Sequence, residues 1–270
     1  MGIIPVVVPR VLTIGGSDSS GGAGIQADLK TFAALGVAGA TVVTALTAQN
    51  ATEVLGIVPV EAEFVRAQLR AVSSPAPPRA AKTGMLWSEE AILEVARWVR
   101  DRRIRALVVD PVMVAGSGAR LLEERASEAL VRELFPLACL VTPNLSEARA
   151  LTGGEIRTLA DMREAAKALR ALGIRAVLLK GGHLDSGDAV DLYDDGRLTQ
   201  ELRAPRLPAG RLHGAGCVLS AAVASGLALG KPLNEAIVDA KRFVTRAIEA
   251  REDVGSGVAV VNPLWRFAGE

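Results

Sequence analysis

Short apolar runs rich in β-branched residues alternate with longer amphipathic segments along the whole chain, and this alternation limits the fold more than any other feature. It is typical of βαβ units, in which strands lie parallel in a buried sheet and helices cover both faces. We therefore predict an α/β fold with a mostly parallel central sheet. The predicted strands span residues 11–15, 41–45, 80–83, 106–110, 139–142 and 176–180.

The segments between these strands carry helix start and stop signals. Thr158 precedes apolar residues at helical spacing that continue to Gly173, which predicts an N-cap and a C-terminal stop. Ser88 precedes two acidic residues, which suit the positive end of a helix that runs to about residue 102. Residues 193–196 are typical of a hairpin turn whose antiparallel strands extend the sheet edge. Further helices are predicted over residues 23–35, 61–72 and 234–250.

The composition indicates a globular protein. The chain has 270 residues, half of them hydrophobic, which is enough to bury a substantial core. Because no polar linker or low-complexity tract interrupts it, we predict a single domain over residues 1–270. The net charge of +1 gives no global electrostatic reason to expect nucleic acid or an anionic membrane as a partner.

The two cysteines, Cys139 and Cys217, are too few for a disulfide framework. We find no signal peptide and no run of roughly 20 uninterrupted apolar residues, so we expect a cytoplasmic protein. Cys139 lies within an apolar run and is expected to be a core residue.

Residues 212–222 carry the strongest functional signal. The turn Gly214-Ala215-Gly216 leads directly into an apolar, alanine-rich segment, which predicts a helix with Cys217 in its first turn. Unpaired amides and the positive end of the helix dipole together bind anions such as phosphate. The same field stabilises a thiolate, so we predict a depressed pKa for Cys217. An anion site beside a nucleophile or base suggests phosphoryl transfer.

A second glycine-rich stretch, residues 15–24, follows the first predicted strand. Its spacing fits neither a P-loop, which ends in Gly-Lys-Ser/Thr, nor a Gly-x-Gly-x-x-Gly dinucleotide turn. By itself it predicts a tight loop in which the backbone comes close to a ligand.

Seven motifs occur in order along the chain: Gly-Gly-Ser-Asp-Ser-Ser-Gly-Gly-Ala-Gly-Ile-Gln-Ala-Asp-Leu-Lys-Thr at 15–31, Thr-Ala-Leu-Thr-Ala-Gln-Asn at 44–50, Lys-Thr-Gly-Met-Leu at 82–86, Asp-Pro-Val-Met-Val-Ala at 110–115, Thr-Pro-Asn-Leu-Ser-Glu-Ala at 142–148, Lys-Gly-Gly-His at 180–183 and His-Gly-Ala-Gly-Cys at 213–217. With them the chain closely resembles the hydroxymethylpyrimidine and phosphomethylpyrimidine kinases of thiamine biosynthesis, members of the ribokinase-like superfamily. The resemblance implies a three-layer α/β/α sandwich with a mostly parallel sheet. It also implies phosphorylation of 4-amino-5-hydroxymethyl-2-methylpyrimidine, and then of the monophosphate to the diphosphate.

The resemblance further implies which residues bind the pyrimidine. Gln49 matches the glutamine whose side-chain amide pairs with the aminopyrimidine. Gly16, Asp28, Met85 and Val112 match other positions of the pocket, with Asp28 near the reacting hydroxymethyl group. Simpler structural roles stay open: a capped strand end for Gln49, core packing for Met85 and Val112, and a solvated helix position for Asp28.

On the nucleotide side, the resemblance implies ATP as the phosphoryl donor and Mg²⁺ as its metal. Lys180 matches a lysine that contacts phosphate, and Asn144 and Glu147 match an Asn-x-x-Glu motif that helps to hold Mg²⁺, largely through water. Asp110 is a further candidate near the metal, so Glu147 and Asp110 are the predicted metal-side residues. Helix caps or surface ion pairs are the structural alternatives for all four.

Cys217 stands where the pyrimidine kinases carry Cys and where sugar kinases of the superfamily carry a catalytic Asp. This implies that Cys217 acts as general base toward the substrate hydroxyl, while the amides of Gly214, Ala215 and Gly216 stabilise the phosphoryl group. The structural alternative for Cys217 is a small buried side chain.

Two other functions stay open. A pyridoxal or pyridoxine kinase binds its vitamin in a similar pocket, although Gln49 and Met85 suit an aminopyrimidine better. A non-catalytic sensor of a pyrimidine or nucleotide would not need both a base and phosphate-stabilising groups. His183 and His213 are too few for a zinc site, and we expect His213 to shape the turn. The family suggests a homodimer.

Overall fold

The computed structural model describes residues 8–182, 184, 187–208 and 210–267, so His183 lies outside the described residues. Strands in this part of the chain form a large sheet and a small one. They are β1 (Arg10–Asp18), β2 (Ala38–Gln49), β3 (Val54–Pro59), β4 (Ala80–Thr83), β5 (Leu107–Val109), β6 (Leu140–Val141), β7 (Val177–Leu179), β8 (Asp188–Asp194), β9 (Thr199–Pro205), β10 (Arg211–His213), β11 (Glu252–Asp253) and β12 (Val258–Val260).

The large sheet has nine strands in the order β3-β2-β1-β4-β5-β6-β7-β8-β9. The six central strands, from β2 to β7, lie parallel, whereas β3 at one edge and the β8–β9 hairpin at the other are antiparallel to their neighbours. The sheet is therefore mostly parallel, as the alternating sequence pattern predicted.

Helices pack on both faces of this sheet. They are α1 (Gly24–Ala34), α2 (Ala62–Val72), α3 (Glu89–Arg102), α4 (Ala126–Ala129), α5 (Leu145–Thr152), α6 (Leu159–Ala171), α7 (Ala215–Ala228) and α8 (Leu233–Glu249). One hydrophobic core lies between the sheet and α1, α7 and α8, and a second lies between the opposite face and α2 to α6. This three-layer α/β/α arrangement confirms the predicted fold class.

The helix caps form as the sequence predicted. The Thr158 side chain accepts the backbone N–H of Asp161, and the Asp161 carboxylate accepts that of Thr158, which completes a capping box. Ser88 accepts the N–H of Ala91 at the start of α3. Gly173 follows α6 with a φ of +90°, a conformation that glycine adopts without steric cost.

All six predicted strands are present, and the first is longer than predicted. The expectation of a loop directly after Gly15 is wrong, because β1 continues to Asp18 through a register irregularity between Gly15 and Gly16. The sequence analysis also missed β3 and the small sheet. That sheet pairs β10 parallel to β12 and β11 antiparallel to β12, in segments of two or three residues that only tertiary contacts define.

None of the helices in the described ranges is both long and apolar enough to cross a membrane.

Candidate active site

The candidate site lies where the direction of chain progression in the large sheet reverses. From β1 the chain first adds β2 on one side and later adds β4 on the other, so β1 and β4 are neighbours at the reversal. Open α/β sheets bind ligands at the carboxyl ends of the strands at this point. The first glycine-rich loop follows β1 there, and the N-terminus of α7 meets it.

The turn before α7 is held in place by close backbone contact. Gly214 has a φ of +90°, and a Cβ atom on it would lie 2.0 Å from the carbonyl oxygen of Gly22. The first intrahelical hydrogen bond runs from the Val218 N–H to the Gly214 carbonyl oxygen, at 3.0 Å. The N–H groups of Ala215 and Gly216 precede that bond, so helix geometry leaves them without an intrahelical acceptor, as an anion site requires.

Cys217 lies in the first turn of α7, half-buried against the hydrophobic core of that face. Burial raises the pKa of the Cys217 thiol to about 11, although the nearby Lys82 cation and the Gly24 N–H oppose this rise. The predicted depressed pKa is therefore wrong. The loss of hydration, together with the Asp28 and Asp110 carboxylates, outweighs the neighbouring cation.

Asp28 and Lys82 form a buried ion pair next to Cys217. The Lys82 Nζ lies 2.8 Å and 3.0 Å from the two Asp28 carboxylate oxygens, and each side chain is 1% exposed. The Thr13 hydroxyl donates a third hydrogen bond to Asp28, at 2.5 Å. Burial raises the pKa of Asp28, and Lys82 limits that rise by favouring the carboxylate. Asp28 is thus no solvated helix residue.

A second ion pair near Cys217 joins two residues that were predicted for the nucleotide side, Lys180 and Asp110. The Lys180 Nζ donates to a carboxylate oxygen of Asp110 at 2.7 Å, and the hydroxyls of Thr142 and Ser220 donate to the same carboxylate at 3.2 Å and 3.4 Å. A Cβ atom on Gly216 would lie 3.1 Å from the Lys180 Nζ. The predicted phosphate lysine therefore lies directly beside the predicted anion-binding turn.

Asn144 and Glu147 form a capping box at the start of α5. The Asn144 side chain accepts the Glu147 N–H at 2.8 Å, and the Glu147 carboxylate accepts the Asn144 N–H at 2.7 Å. Burial raises the pKa of Glu147 to about 7, against the opposing effect of the Lys180 cation. The helix-cap alternative is thus realised, and the same contacts hold the Glu147 carboxylate close to Lys180 and Asp110.

The residues predicted for the pyrimidine pocket cluster at the ends of neighbouring strands. Gly16 lies against Met85, because a Cβ atom on Gly16 would be 2.8 Å from the Met85 Sδ. Met85 packs in a small apolar cluster with Val112 and Trp87. The Thr44 hydroxyl donates to the Met85 carbonyl oxygen at 2.5 Å, which fixes the wall of this cluster.

Gln49 ends β2 above the first glycine-rich loop. Its backbone N–H donates to the Ser19 hydroxyl oxygen at 2.9 Å, and its side-chain oxygen accepts from the Thr47 hydroxyl at 3.1 Å. The Thr47 hydroxyl oxygen also lies 2.9 Å from the Ser17 carbonyl oxygen, so its one hydrogen is shared between the two acceptors. These contacts tie Gln49 to the loop that follows Gly16.

Asp18 and His213 connect the two glycine-rich stretches. The His213 Nε2 lies 2.8 Å from an Asp18 carboxylate oxygen, and the Ala23 N–H donates to the same oxygen at 2.8 Å. Burial raises the pKa of Asp18, but hydrogen bonds from His213, Ser20 and Ala23 outweigh it and lower the pKa below its usual value. His213 therefore shapes the turn, as the sequence analysis expected.

The structure thus brings Asp28, Asp110 and Lys180 together near Cys217. The residues predicted for the pyrimidine pocket form a separate group, with Gly16, Met85 and Val112 packed together and Gln49 bound to the first glycine-rich loop.

Sequence analysis missed Lys82 and Asp18 as members of the site. Lys82 carried a detectable signal, since a lysine within a buried apolar strand requires an acidic partner. Cys139 packs against the core, where burial raises its pKa to about 11, as expected of an inert thiol.

Comparison with known proteins agrees with this geometry. The sequence pattern of the family described as phosphomethylpyrimidine kinase matches residues 18–262. The chain is 50% identical over 259 residues to the hydroxymethylpyrimidine/phosphomethylpyrimidine kinase of Rhizobium meliloti, which covers 95% of this chain and 97% of that protein.

Two further similarities differ in what they cover. The thiamine biosynthesis bifunctional protein ThiED of Geobacter sulfurreducens is 52% identical over 254 residues, which is 94% of this chain but 52% of that protein, so this chain spans about half its length. Pyridoxal kinase from Bacillus subtilis, solved as an ADP complex, superposes with a TM-score of 0.89 at 37% identity, covering 97% of this chain and 100% of that one.

The fold and the kinases that resemble it define the class of this protein, a phosphotransferase with the ribokinase-like fold. Within that class, the chain belongs to the phosphomethylpyrimidine kinase family. The predicted fold class, enzyme class and family are confirmed. Membership of a kinase family makes ATP the phosphoryl donor.

A side chain at Gly214 is expected to disrupt the site. In Gly214→Ala the new Cβ atom would lie 2.0 Å from the Gly22 carbonyl oxygen. Gly230 has a similar φ of +86°, but a Cβ atom added there would have no neighbouring atom within 4 Å. Gly230→Ala should cost about 1 kcal/mol of unfolding free energy from its backbone conformation alone. Gly214→Ala should cost at least about 2 kcal/mol and lower turnover about 100-fold or more.

Urea denaturation and a coupled kinase assay on both variants measure these effects. Equal losses of stability and activity in the two variants would show that the contact with Gly22 does not hold the turn.

Proposed function

We propose that this protein transfers the γ-phosphoryl group of ATP to the hydroxymethyl group of 4-amino-5-hydroxymethyl-2-methylpyrimidine, and then phosphorylates the monophosphate to the diphosphate. The observation that carries the proposal is the meeting of three groups at one point: the amides at the start of α7, the Lys180 cation and the Cys217 thiol. The residues predicted for the pyrimidine, Gly16, Met85 and Val112, pack together near the carboxyl ends of β1, β4 and β5.

The phosphoryl group in transfer carries negative charge on its oxygens, and enzymes accelerate this reaction by positioning and charge stabilisation. The N–H groups of Ala215 and Gly216 and the ammonium of Lys180 supply donors on one side of that group. Lys180 stays charged because Asp110 and Glu147 outweigh the effect of burial on its pKa. Asp110 holds the ammonium in place until phosphate oxygens compete for it.

Cys217 is the proposed acceptor of the substrate hydroxyl proton. With a pKa of about 11, the thiolate is a minor species at neutral pH. A positioned general base typically contributes about 100-fold or more to the rate, so even a small thiolate fraction assists the transfer. The rate should therefore rise with pH as the thiolate fraction grows.

The pyrimidine is proposed to lie against Met85 and Val112, with Gly16 leaving room for the ring. The Gln49 amide can both donate and accept, which matches the exocyclic amine and ring nitrogen of an aminopyrimidine. Asp28 is held by Lys82 below this pocket, so its carboxylate acts through that cation.

Mg²⁺ is proposed to accompany ATP. The described residues include no group of three His, Cys, Asp or Glu side chains that could hold a metal by themselves. Glu147 and Asp110 lie close enough for their charges to interact, and they fit an ion that keeps several waters and binds mainly through phosphate. Bound Mg²⁺ neutralises charge on the phosphates.

A pyridoxal kinase is the second candidate, and the similarity to the Bacillus subtilis enzyme favours it. Gln49 and Met85, together with the Rhizobium meliloti relative, favour the pyrimidine. The third possibility, a sensor without activity, does not fit a kinase family member that retains Lys180 and Cys217.

Product identification tests the substrate directly. Purified protein with Mg-ATP is offered the pyrimidine alcohol, its monophosphate and pyridoxal in parallel from pH 6 to 9, and products are identified by mass spectrometry. We expect the mono- and diphosphates of the pyrimidine, with kcat/KM for the alcohol above that for pyridoxal. A preference for pyridoxal would reverse the assignment, and no phosphorylated product at any pH would defeat it.

Two substitutions should separate chemistry from binding. Cys217→Ala is expected to lower kcat by about 100-fold or more and to abolish the rise of kcat between pH 7 and 9, with pyrimidine affinity retained. Gln49→Ala should instead raise KM about tenfold, because a buried pyrimidine edge loses its partner.

Steady-state kinetics across this pH range and calorimetry with the pyrimidine measure the two effects. A pH rise that persists in Cys217→Ala would remove the thiol from the proton transfer. Unchanged affinity in Gln49→Ala would remove Gln49 from the pocket.

We also propose a homodimer. The edge strand β3 and its neighbours expose large apolar side chains, with Leu46 52%, Val58 63% and Phe64 62% exposed. Leu46 and Val58 are paired across β2 and β3 and so share one face of the sheet. Unpaired edges of this kind are suited to association with a second copy.

Sedimentation equilibrium should give twice the monomer mass for the wild type and the monomer mass for Leu46→Asp/Val58→Asp. Leu229→Asp, at a 44% exposed apolar residue outside this face, is the control and should stay dimeric. A monomeric wild type would exclude the homodimer.

A further inference from the structure

Cys217 lies between two ion pairs, and the proposed function uses only one of them. Lys180 and Asp110 form the pair that was predicted for the nucleotide side. Lys82 and Asp28 form the other pair, in which each side chain is 1% exposed. The proposed function therefore assigns no role to the buried Lys82 cation beside the Cys217 thiol.

The Lys82–Asp28 pair is held in a single arrangement. The ammonium donates to both carboxylate oxygens, at 2.8 Å and 3.0 Å, while Thr13 donates to Asp28 from β1. A Cβ atom on Gly84 would lie 3.0 Å from the Lys82 Nζ, so the glycine after β4 provides the space for the ammonium. Lys82 therefore cannot turn away to solvent.

Stability alone does not explain this pair. Removing two charges from water costs several kcal/mol per ion, and apolar residues of similar volume often stabilise such a position equally well. Strand β4, which carries Lys82, packs against helix α7, which carries Cys217 in its first turn. The two side chains therefore lie close enough for their charges to interact. A cation fixed at that place favours negative charge on the sulfur.

We propose that Lys82 is a positioning residue that acts through Cys217: its ammonium, fixed by Asp28, is the counter-charge for the sulfur when the sulfur takes the substrate proton. This rests on the proposed function, in which Cys217 is the base. Asp28 holds the cation and, as an anion, limits its effect on the sulfur.

Four charged groups interact with the sulfur. Lys82 comes from β4, Asp28 from α1, Asp110 from the end of β5 and Lys180 from the end of β7. Two cations thus balance two anions. Because these four charges sum to zero, removing a cation makes the surroundings of the sulfur more negative. Removing an anion makes them more positive.

Alkylation of Cys217 by iodoacetamide measures this charge without substrate, nucleotide or turnover. In a Cys139→Ser background, the second-order rate constant between pH 8 and 9.5 is proportional to the thiolate fraction. Lys82→Met should slow alkylation about tenfold, and Asp28→Asn should accelerate it about tenfold. The double variant should react at close to the wild-type rate.

Lys241→Met is the matched control. Lys241 donates to Asp191 at 2.8 Å in another largely buried pair, with 11% and 7% of the two side chains exposed, and it does not face Cys217. Its substitution should leave the alkylation rate unchanged. Urea denaturation of each variant reports any loss of stability separately.

Equal alkylation rates in all variants would overturn the proposal. So would a change of the alkylation rate in the same direction in Lys82→Met and Asp28→Asn, because a purely structural role does not predict opposite effects of the two substitutions. If Lys82→Met does not fold, the comparison uses Asp28→Asn and the volume-matched double variant. The alkylation rate should then rise in Asp28→Asn and return to the wild-type value in the double variant. Failure to phosphorylate the pyrimidine would instead refute the proposed function and leave the alkylation result intact.

Discussion

The active site depends on the close approach of two backbones, at Gly22 in the first loop and at Gly214 before α7. A Cβ atom at Gly214 would lie 2.0 Å from the Gly22 carbonyl oxygen, so both segments reach these positions only because Gly214 has no side chain. The Asp18–His213 contact at 2.8 Å fixes the same approach from the side. Together they place the start of α7, with its unpaired amides, at the reversal point of the sheet.

The charged side chains in the site form cation–anion pairs, so the site carries no large net charge. Lys82 is paired with Asp28, Lys180 is paired with Asp110, and Cys217 lies between the pairs as a neutral thiol. A buried excess of either sign would be costly, whereas paired charges avoid most of this cost. The raised pKa of Cys217 is a consequence of burial, which outweighs the effect of the Lys82 cation.

Prediction from sequence worked best where the physics is local. Caps at Ser88 and Thr158, the stop at Gly173 and the buried strands follow from spacing and residue type within a few positions. Local patterns failed for β3 and for the small sheet that holds His213, since these strands exist through pairing with distant segments. The motif order was enough to predict the family, and the roles of the individual site residues stay predictions.

By itself, the sequence determined the α/β class, the helix with Cys217 in its first turn and the kinase family, because periodicity and motif identity are properties of the chain. Only the tertiary structure decided that Lys82 pairs with Asp28, that Asp18 meets His213 and that the Cys217 pKa rises. Each of these depends on which charges burial brings together and how much water it removes. Lys82 and Asp28 are 54 positions apart in the chain, and His213 and Asp18 are 195 positions apart, so no local sequence pattern predicts these contacts.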